Sequence, residues 1–72
     1  MVNLILKRTP QATKRDKILE EIKLVKAQLQ NVTTRFEMES DSDLVEATIY
    51  EMEALKAKYR YLVKSLKSAE TN

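Results

Sequence analysis

The sequence contains no cysteine, histidine, glycine or tryptophan, and it has a single proline. Without cysteine the chain forms no disulfide and no thiolate metal site. Without histidine it lacks the commonest metal ligand and the commonest general base near neutral pH. A phosphate-binding glycine loop is excluded as well. We therefore expect a protein that is not an enzyme and that holds neither a cofactor nor a metal.

Long apolar runs are also missing from the chain. No segment approaches the roughly 20 apolar residues that a membrane span requires, and the N-terminal run is too short for the core of a signal peptide. The absence of cysteine fits a reducing cytoplasm, although other compartments are equally compatible. The formal net charge of +2 is too small to indicate a nucleic-acid partner by itself.

The length of 72 residues allows one domain with a small core. A single core of this size supplies only ~3–5 kcal/mol unless disulfides, a metal or oligomerisation add to it. Of these three sources of added stability, the composition leaves only oligomerisation open. The abundance of Ala, Glu, Lys, Leu and Arg is typical of long helices and coiled coils.

The first half of the chain carries one heptad pattern, which predicts helix one at about residues 12–37. Its apolar residues recur at steps of three and four and fall within an arc of about 80°. They are Ile18, Ile22, Val25, Leu29, Val32 and Phe36. Two starts are compatible with the sequence: Thr9 with Pro10, or Thr13 with Asp16 in a capping box. Residues 1–9 are interpreted as a flexible or loosely packed segment, and Leu24 lies off the pattern as a lone apolar residue.

A cluster of cap-forming residues, Ser40 to Asp43, predicts a break before helix two, which we place at about 42–67. One uninterrupted helix of about 55 residues is the alternative, because no strong helix breaker is present. Helix two has a first apolar stripe, broadened by Leu44, Ile49 and Val63, and we expect residues 68–72 to fray. This first stripe consists of Val45, Thr48, Met52, Leu55, Tyr59, Leu62, Leu66 and Ala69.

Helix two carries a second apolar stripe that a simple hairpin does not need. This Ala/Tyr stripe consists of Ala47, Tyr50, Ala54, Ala57 and Tyr61. Alanine lets helix backbones approach closely, and tyrosine adds contact area with a polar tip. The sequence therefore predicts an all-α antiparallel helical hairpin, residues 10–69, that dimerises through this stripe into a four-helix bundle.

The second helix resembles the YaaL family of small, uncharacterised bacterial proteins. The resemblance covers about two thirds of the chain and is specific over residues 36–64, with an Asp-x-Asp-Leu start, an Ile-Tyr-Glu centre and a Tyr-x-Tyr-Leu finish. The matching residues there are Asp41, Asp43, Leu44, Ile49, Tyr50, Glu51, Ala54, Lys58, Tyr59, Tyr61, Leu62 and Lys64. An earlier segment of the family is matched by Asp16, Ile18, Leu19 and Ile22. Ser42 departs from the family pattern, which usually has proline there. The resemblance implies a cytoplasmic helical protein of unknown activity and brings no catalytic residues.

Charge is segregated along the chain. Seven acidic residues between Glu37 and Glu53 have no cation among them, and five cations follow between Lys56 and Lys67. The distribution suits the dipole of helix two, and it also suits antiparallel pairing of two hairpins. A third interpretation is that the basic end of the hairpin contacts nucleic acid or another anion. The residues for that contact are Lys7, Arg8, Lys14, Arg15, Lys64 and Lys67.

The carboxylates near the turn and the tyrosines each have a simpler interpretation than a binding site. The carboxylates around Asp41 and Asp43 lack the glycine and ligand order of an EF-hand loop, so a capped helix start is favoured over a cation site. The tyrosines have helical spacing, which favours packing over stacking on bases.

We expect a self-associating adaptor for an unknown protein partner, with a nucleic-acid accessory protein as the alternative.

Overall fold

The protein is described by a computed structural model that covers residues 13–71, and this range contains two α-helices joined by a short turn. Helix α1 spans Lys14–Met38, and helix α2 spans Ser42–Thr71. The two helices pack against each other along their length. The predicted antiparallel hairpin is therefore confirmed, and a single uninterrupted helix is excluded. The predicted N-terminal segment, residues 1–9, lies outside the described residues.

The start of α1 is a capping box built on Thr13. The Thr13 hydroxyl accepts a hydrogen bond from the Asp16 N–H at 3.0 Å, and the Asp16 carboxylate accepts one from the Thr13 N–H at 3.3 Å. Two backbone donors that the helix leaves unpaired are thus satisfied. Of the two starts that the sequence allows, the structure selects Thr13 as the N-cap of α1.

The turn, residues 39–41, interrupts the helix without glycine or proline. Glu39 adopts an extended backbone with φ −87° and ψ 137°, and its N–H donates to the Phe36 carbonyl at 3.4 Å. The Asp41 carboxylate then accepts hydrogen bonds from the N–H groups of Asp43 at 2.9 Å and Leu44 at 3.2 Å. Asp41 is therefore the N-cap of α2, because its side chain replaces the carbonyl partners that the first turn lacks.

The core between the helices is small. Val25 and Val32 of α1 and Leu62 and Thr48 of α2 are buried, each no more than 5% exposed. The Thr48 hydroxyl donates to the Val45 carbonyl at 2.7 Å, so the buried polar group has its partner. The other predicted core positions are partly buried: Ile18, Ile22, Leu29 and Phe36 on α1, and Val45, Met52, Leu55, Tyr59, Leu66 and Ala69 on α2.

Two residues that we expected to broaden the core of α2 do so less than predicted. Leu44 is 53% exposed and Ile49 is 40% exposed, whereas Val63 is partly buried. Two packed helices bury only a strip on each, so side chains at the margin of that strip stay in water. Leu44 also lies in the first turn of α2, at the end of the contact with α1.

Ion pairs connect the two helices near both ends of the hairpin. Arg35 donates to both oxygens of Glu51 at 3.1 and 3.2 Å near the turn, and Arg15 donates to Glu70 at 2.9 Å near the open end. All four side chains are about half exposed, so each pair contributes only ~0–1 kcal/mol. The second pair lies beyond the end that we predicted for helix two, and α2 continues as a helix to Thr71.

Candidate protein interface

The Ala/Tyr stripe lies on the surface of α2 that is turned away from the core. All five of its residues are exposed, and Tyr50 and Tyr61 keep 65% and 64% of their surface in water. The Tyr50 hydroxyl donates to the Glu46 carboxylate, one turn earlier, at 3.2 Å. Exposed tyrosines flanked by alanine are a surface suited to a second helix.

Side chains of α1 border this stripe and widen the surface. Tyr61 lines an open groove of about 460 Å³ together with Lys17 and Glu21 of α1. Ala54 lines a second open groove, of about 260 Å³, together with Asn31 of α1. The stripe is therefore one part of a broader face to which both helices contribute.

Leu24 belongs to the same face. It lies seven residues after Lys17 and seven before Asn31, and residues seven apart lie on nearly the same side of a helix. Leu24 is 59% exposed. Leu24 is off the heptad pattern of α1, and its place beside the Ala/Tyr stripe depends on how α1 is positioned against α2. Spacing along α1 could not have placed Leu24 on this face, because Lys17 and Asn31 line the grooves only where the two helices pack together.

The charges on α2 flank the stripe in two blocks. Glu46, Glu51 and Glu53 border its N-terminal half, and Lys58, Arg60 and Lys64 border its C-terminal half. All six are exposed. On the flank nearer to α1, Glu51 and Lys58 lie seven residues apart and share one side of the helix. The surface is thus acidic at one end of the stripe and basic at the other.

The residues of the predicted basic end have different surroundings in the structure. Arg15 is paired with Glu70 at 2.9 Å, and both side chains stay about half exposed. Lys14 is exposed and lines the groove with Tyr61. Lys64 and Lys67 are exposed on α2 and continue a row of cations, at steps of three and four, that starts at Lys56 and includes Arg60. Lys7 and Arg8 lie outside the described residues.

The acidic residues around the turn act in helix capping. The Asp41 carboxylate binds two backbone N–H groups, and a Glu39 oxygen accepts the Asp41 N–H at 3.2 Å. Across residues 13–71, no group of three or more His, Cys, Asp or Glu side chains is arranged to hold a metal ion. Neither α1 nor α2 combines the length and apolar character needed to cross a membrane.

Comparison with known families identifies one match. Residues 6–72 match the model of a family described as a protein of unknown function, DUF2508, and the chain belongs to this family. The match includes both helices and the turn, and so extends further than the resemblance that the second helix carries by itself. No curated protein and no solved structure matches the chain.

Proposed function

We propose that this member of a family of unknown function is a non-catalytic, self-associating helical adaptor. Two hairpins pair through the face that contains the Ala/Tyr stripe and Leu24, and the surface that stays exposed binds another protein. The proposal includes a cytoplasmic location and the narrower YaaL assignment, both of which rest on the resemblance of the second helix.

The observation that supports self-association is the contrast between the two sides of α2. The side facing α1 buries only two residues almost completely, Thr48 and Leu62. The Ala/Tyr stripe leaves about two thirds of the surface of Tyr50 and of Tyr61 in water. Burial of apolar area contributes ~25 cal/mol per Å², so a hairpin with such a small core gains stability by covering the second stripe. A second copy of the chain is a partner that is present wherever the chain is present, so it can cover the stripe.

Sedimentation equilibrium at tens of micromolar protein tests the self-association. We expect a dimer for the natural chain and a monomer for Ala54→Glu, because that variant places two charges at the centre of the paired surface. The matched control is Ala27→Glu, an exposed alanine on α1 that should leave the dimer intact. A monomeric natural chain, or equal effects of the two variants, would contradict the proposal.

The adaptor role needs a separate measurement. A protein captured from the native cytoplasm by the natural chain should bind the purified chain at fixed stoichiometry. The control Ala27→Glu should capture the same protein, while Ala54→Glu should lose it if binding requires the dimer. Failure of every captured protein to bind the purified chain would remove the adaptor role and leave the self-association standing.

A nucleic-acid accessory protein is the second candidate, supported by the exposed row of Lys56, Arg60, Lys64 and Lys67. Such a contact releases counterions, so its affinity falls steeply with salt. A gel shift at low salt that disappears when Lys14, Arg15, Lys64 and Lys67 are neutralised would support it. No shift at low salt would exclude it.

A further inference from the structure

We propose that two copies pair antiparallel along α2, with the two-fold axis passing beside Ala54. This inference rests on the proposed self-association and specifies its partner and geometry. In such a pair, residues at equal distances before and after Ala54 face each other from opposite copies. The exposed surface of α2 can therefore be compared with itself, residue by residue.

The sizes of the side chains match in this arrangement. Ala47 lies seven residues before Ala54 and Tyr61 lies seven residues after it. Antiparallel pairing therefore places the exposed ring of Tyr61 over Ala47 of the second copy, at both ends of the interface. Parallel pairing would instead place tyrosine against tyrosine at one end and alanine against alanine at the other. Large residues opposite small ones fill the space between helices with fewer gaps.

The charges on the flank nearer to α1 match in the same register. A two-fold axis perpendicular to the helices brings each flank of the stripe against the same flank of the second copy. Glu51 lies three residues before Ala54 and Lys58 lies four after it, so each Glu51, which already binds Arg35 of its own chain and stays about half exposed, meets Lys58 of the other copy. A difference of one residue is about 1.5 Å along a helix, which a lysine side chain spans. Parallel pairing would bring like charges together.

The other flank provides an independent agreement. Glu46 lies eight residues before Ala54, while Arg60 and Lys64 lie six and ten residues after it. Each Glu46 therefore falls between the two cations of the second copy. All three side chains are exposed, and the Glu46 carboxylate also accepts the Tyr50 hydroxyl of its own chain. Charge patterns of this kind select the orientation and register of a pair more than its affinity.

A second copy is the occupant that these observations favour over a different protein. An interface between identical chains must be complementary to itself about one point. Three sets of residues become complementary about Ala54: Tyr61 with Ala47, Glu51 with Lys58, and Glu46 with Arg60 and Lys64. A surface shaped by an unrelated partner has no reason to meet that condition three times.

The absence of cysteine makes a cross-linking test direct. Single-cysteine variants of the full chain are treated with a short bis-maleimide. Ala54→Cys should form covalent dimer because the axis brings position 54 next to itself, whereas Ala47→Cys alone should form at least tenfold less. A mixture of Ala47→Cys and Tyr61→Cys chains should cross-link to each other. Ala47→Cys dimers as abundant as those of Ala54→Cys would overturn the antiparallel pairing.

The charge pairs are tested by sedimentation of Lys58→Glu, with Lys23→Glu on α1 as the control. Lys58→Glu should raise the dimer dissociation constant about tenfold at low salt and less at high salt, because screening weakens both attraction and repulsion. Lys23→Glu should leave it unchanged. An unchanged constant for Lys58→Glu would overturn this inference while leaving a dimer in place. A monomeric natural chain would instead refute the proposed function itself.

Discussion

Replacing Leu62 by alanine should remove most of the stability of the hairpin. Leu62 is 4% exposed and is the most deeply buried leucine of the described residues. Buried Leu→Ala changes cost about 2–5 kcal/mol, the sum of lost apolar transfer and the cavity left behind. A chain of this size has ~3–5 kcal/mol from its own core, so the variant should be close to unfolded as a monomer.

Thermal unfolding followed by circular dichroism at 222 nm measures this loss. One kcal/mol corresponds to a shift in Tm of about 4–8 °C for a domain of 60–100 residues, so a fall of at least about 8 °C is expected. The matched control is Leu24→Ala, which makes the same chemical change at a residue that is 59% exposed. At concentrations where the chain is monomeric, the control should stay within about 0.5 kcal/mol of the natural protein.

The comparison between the two leucines decides the outcome. If Leu62→Ala and Leu24→Ala melt within a few degrees of each other in dilute solution, then Leu62 does not contribute to the core and the packing of α2 on α1 is wrong. Raising the protein concentration separates the role of Leu62 in the core from the role of Leu24 in the proposed dimer. Leu24→Ala should then lose stability relative to the natural chain, because Leu24 lies on the face proposed to pair.

Three further predictions concern the ends of the helices and the ion pair near the turn. Thr13→Ala should lower the free energy of unfolding by ~1 kcal/mol in urea denaturation, because α1 loses its cap. Thr13→Ser keeps a capping hydroxyl and should leave the free energy of unfolding unchanged. Ser42→Pro should raise the same quantity by ~0.4–1 kcal/mol, because proline fits the first helical position after the Asp41 cap; a lower value would show that the turn cannot accept it. Arg35→Gln should cost less than ~1 kcal/mol and nothing at high salt, because its pair with Glu51 is half exposed; a larger, salt-independent loss would contradict this.

The buried side of each helix was predictable because side-chain direction follows directly from residue number in a regular helix. Steps of three and four alone place Val25 and Val32 on the apolar face of α1 and Leu62 on the apolar face of α2. The structure buries all three. The same rule separates the Ala/Tyr stripe from the core. The break near Ser40 was the favoured prediction, with one uninterrupted helix as the alternative, and the structure shows the Asp41 carboxylate accepting the backbone donors of the next turn.

The candidate interface was predictable only in part. Its residues on α2 follow from periodicity, but the contribution of Leu24 depends on the position of α1 beside α2. The basic end shows the same dependence, because Arg15 is paired with Glu70, which lies 55 residues later in the chain. Spacing along one helix contains no information about a contact with the other.

The sequence by itself determined that this chain is helical and which side of each helix is apolar, because these properties arise within a few turns of one helix. It favoured a break near Ser40, and the structure excluded the uninterrupted helix. The tertiary structure decided the cap of α1 at Thr13, the pairing of Arg15 with Glu70, and the face on which Leu24 joins the Ala/Tyr stripe. The last two depend on the distance and rotation between two helices. That geometry is set by the packing of Val25 and Val32 against α2, and it exists only once the hairpin has closed.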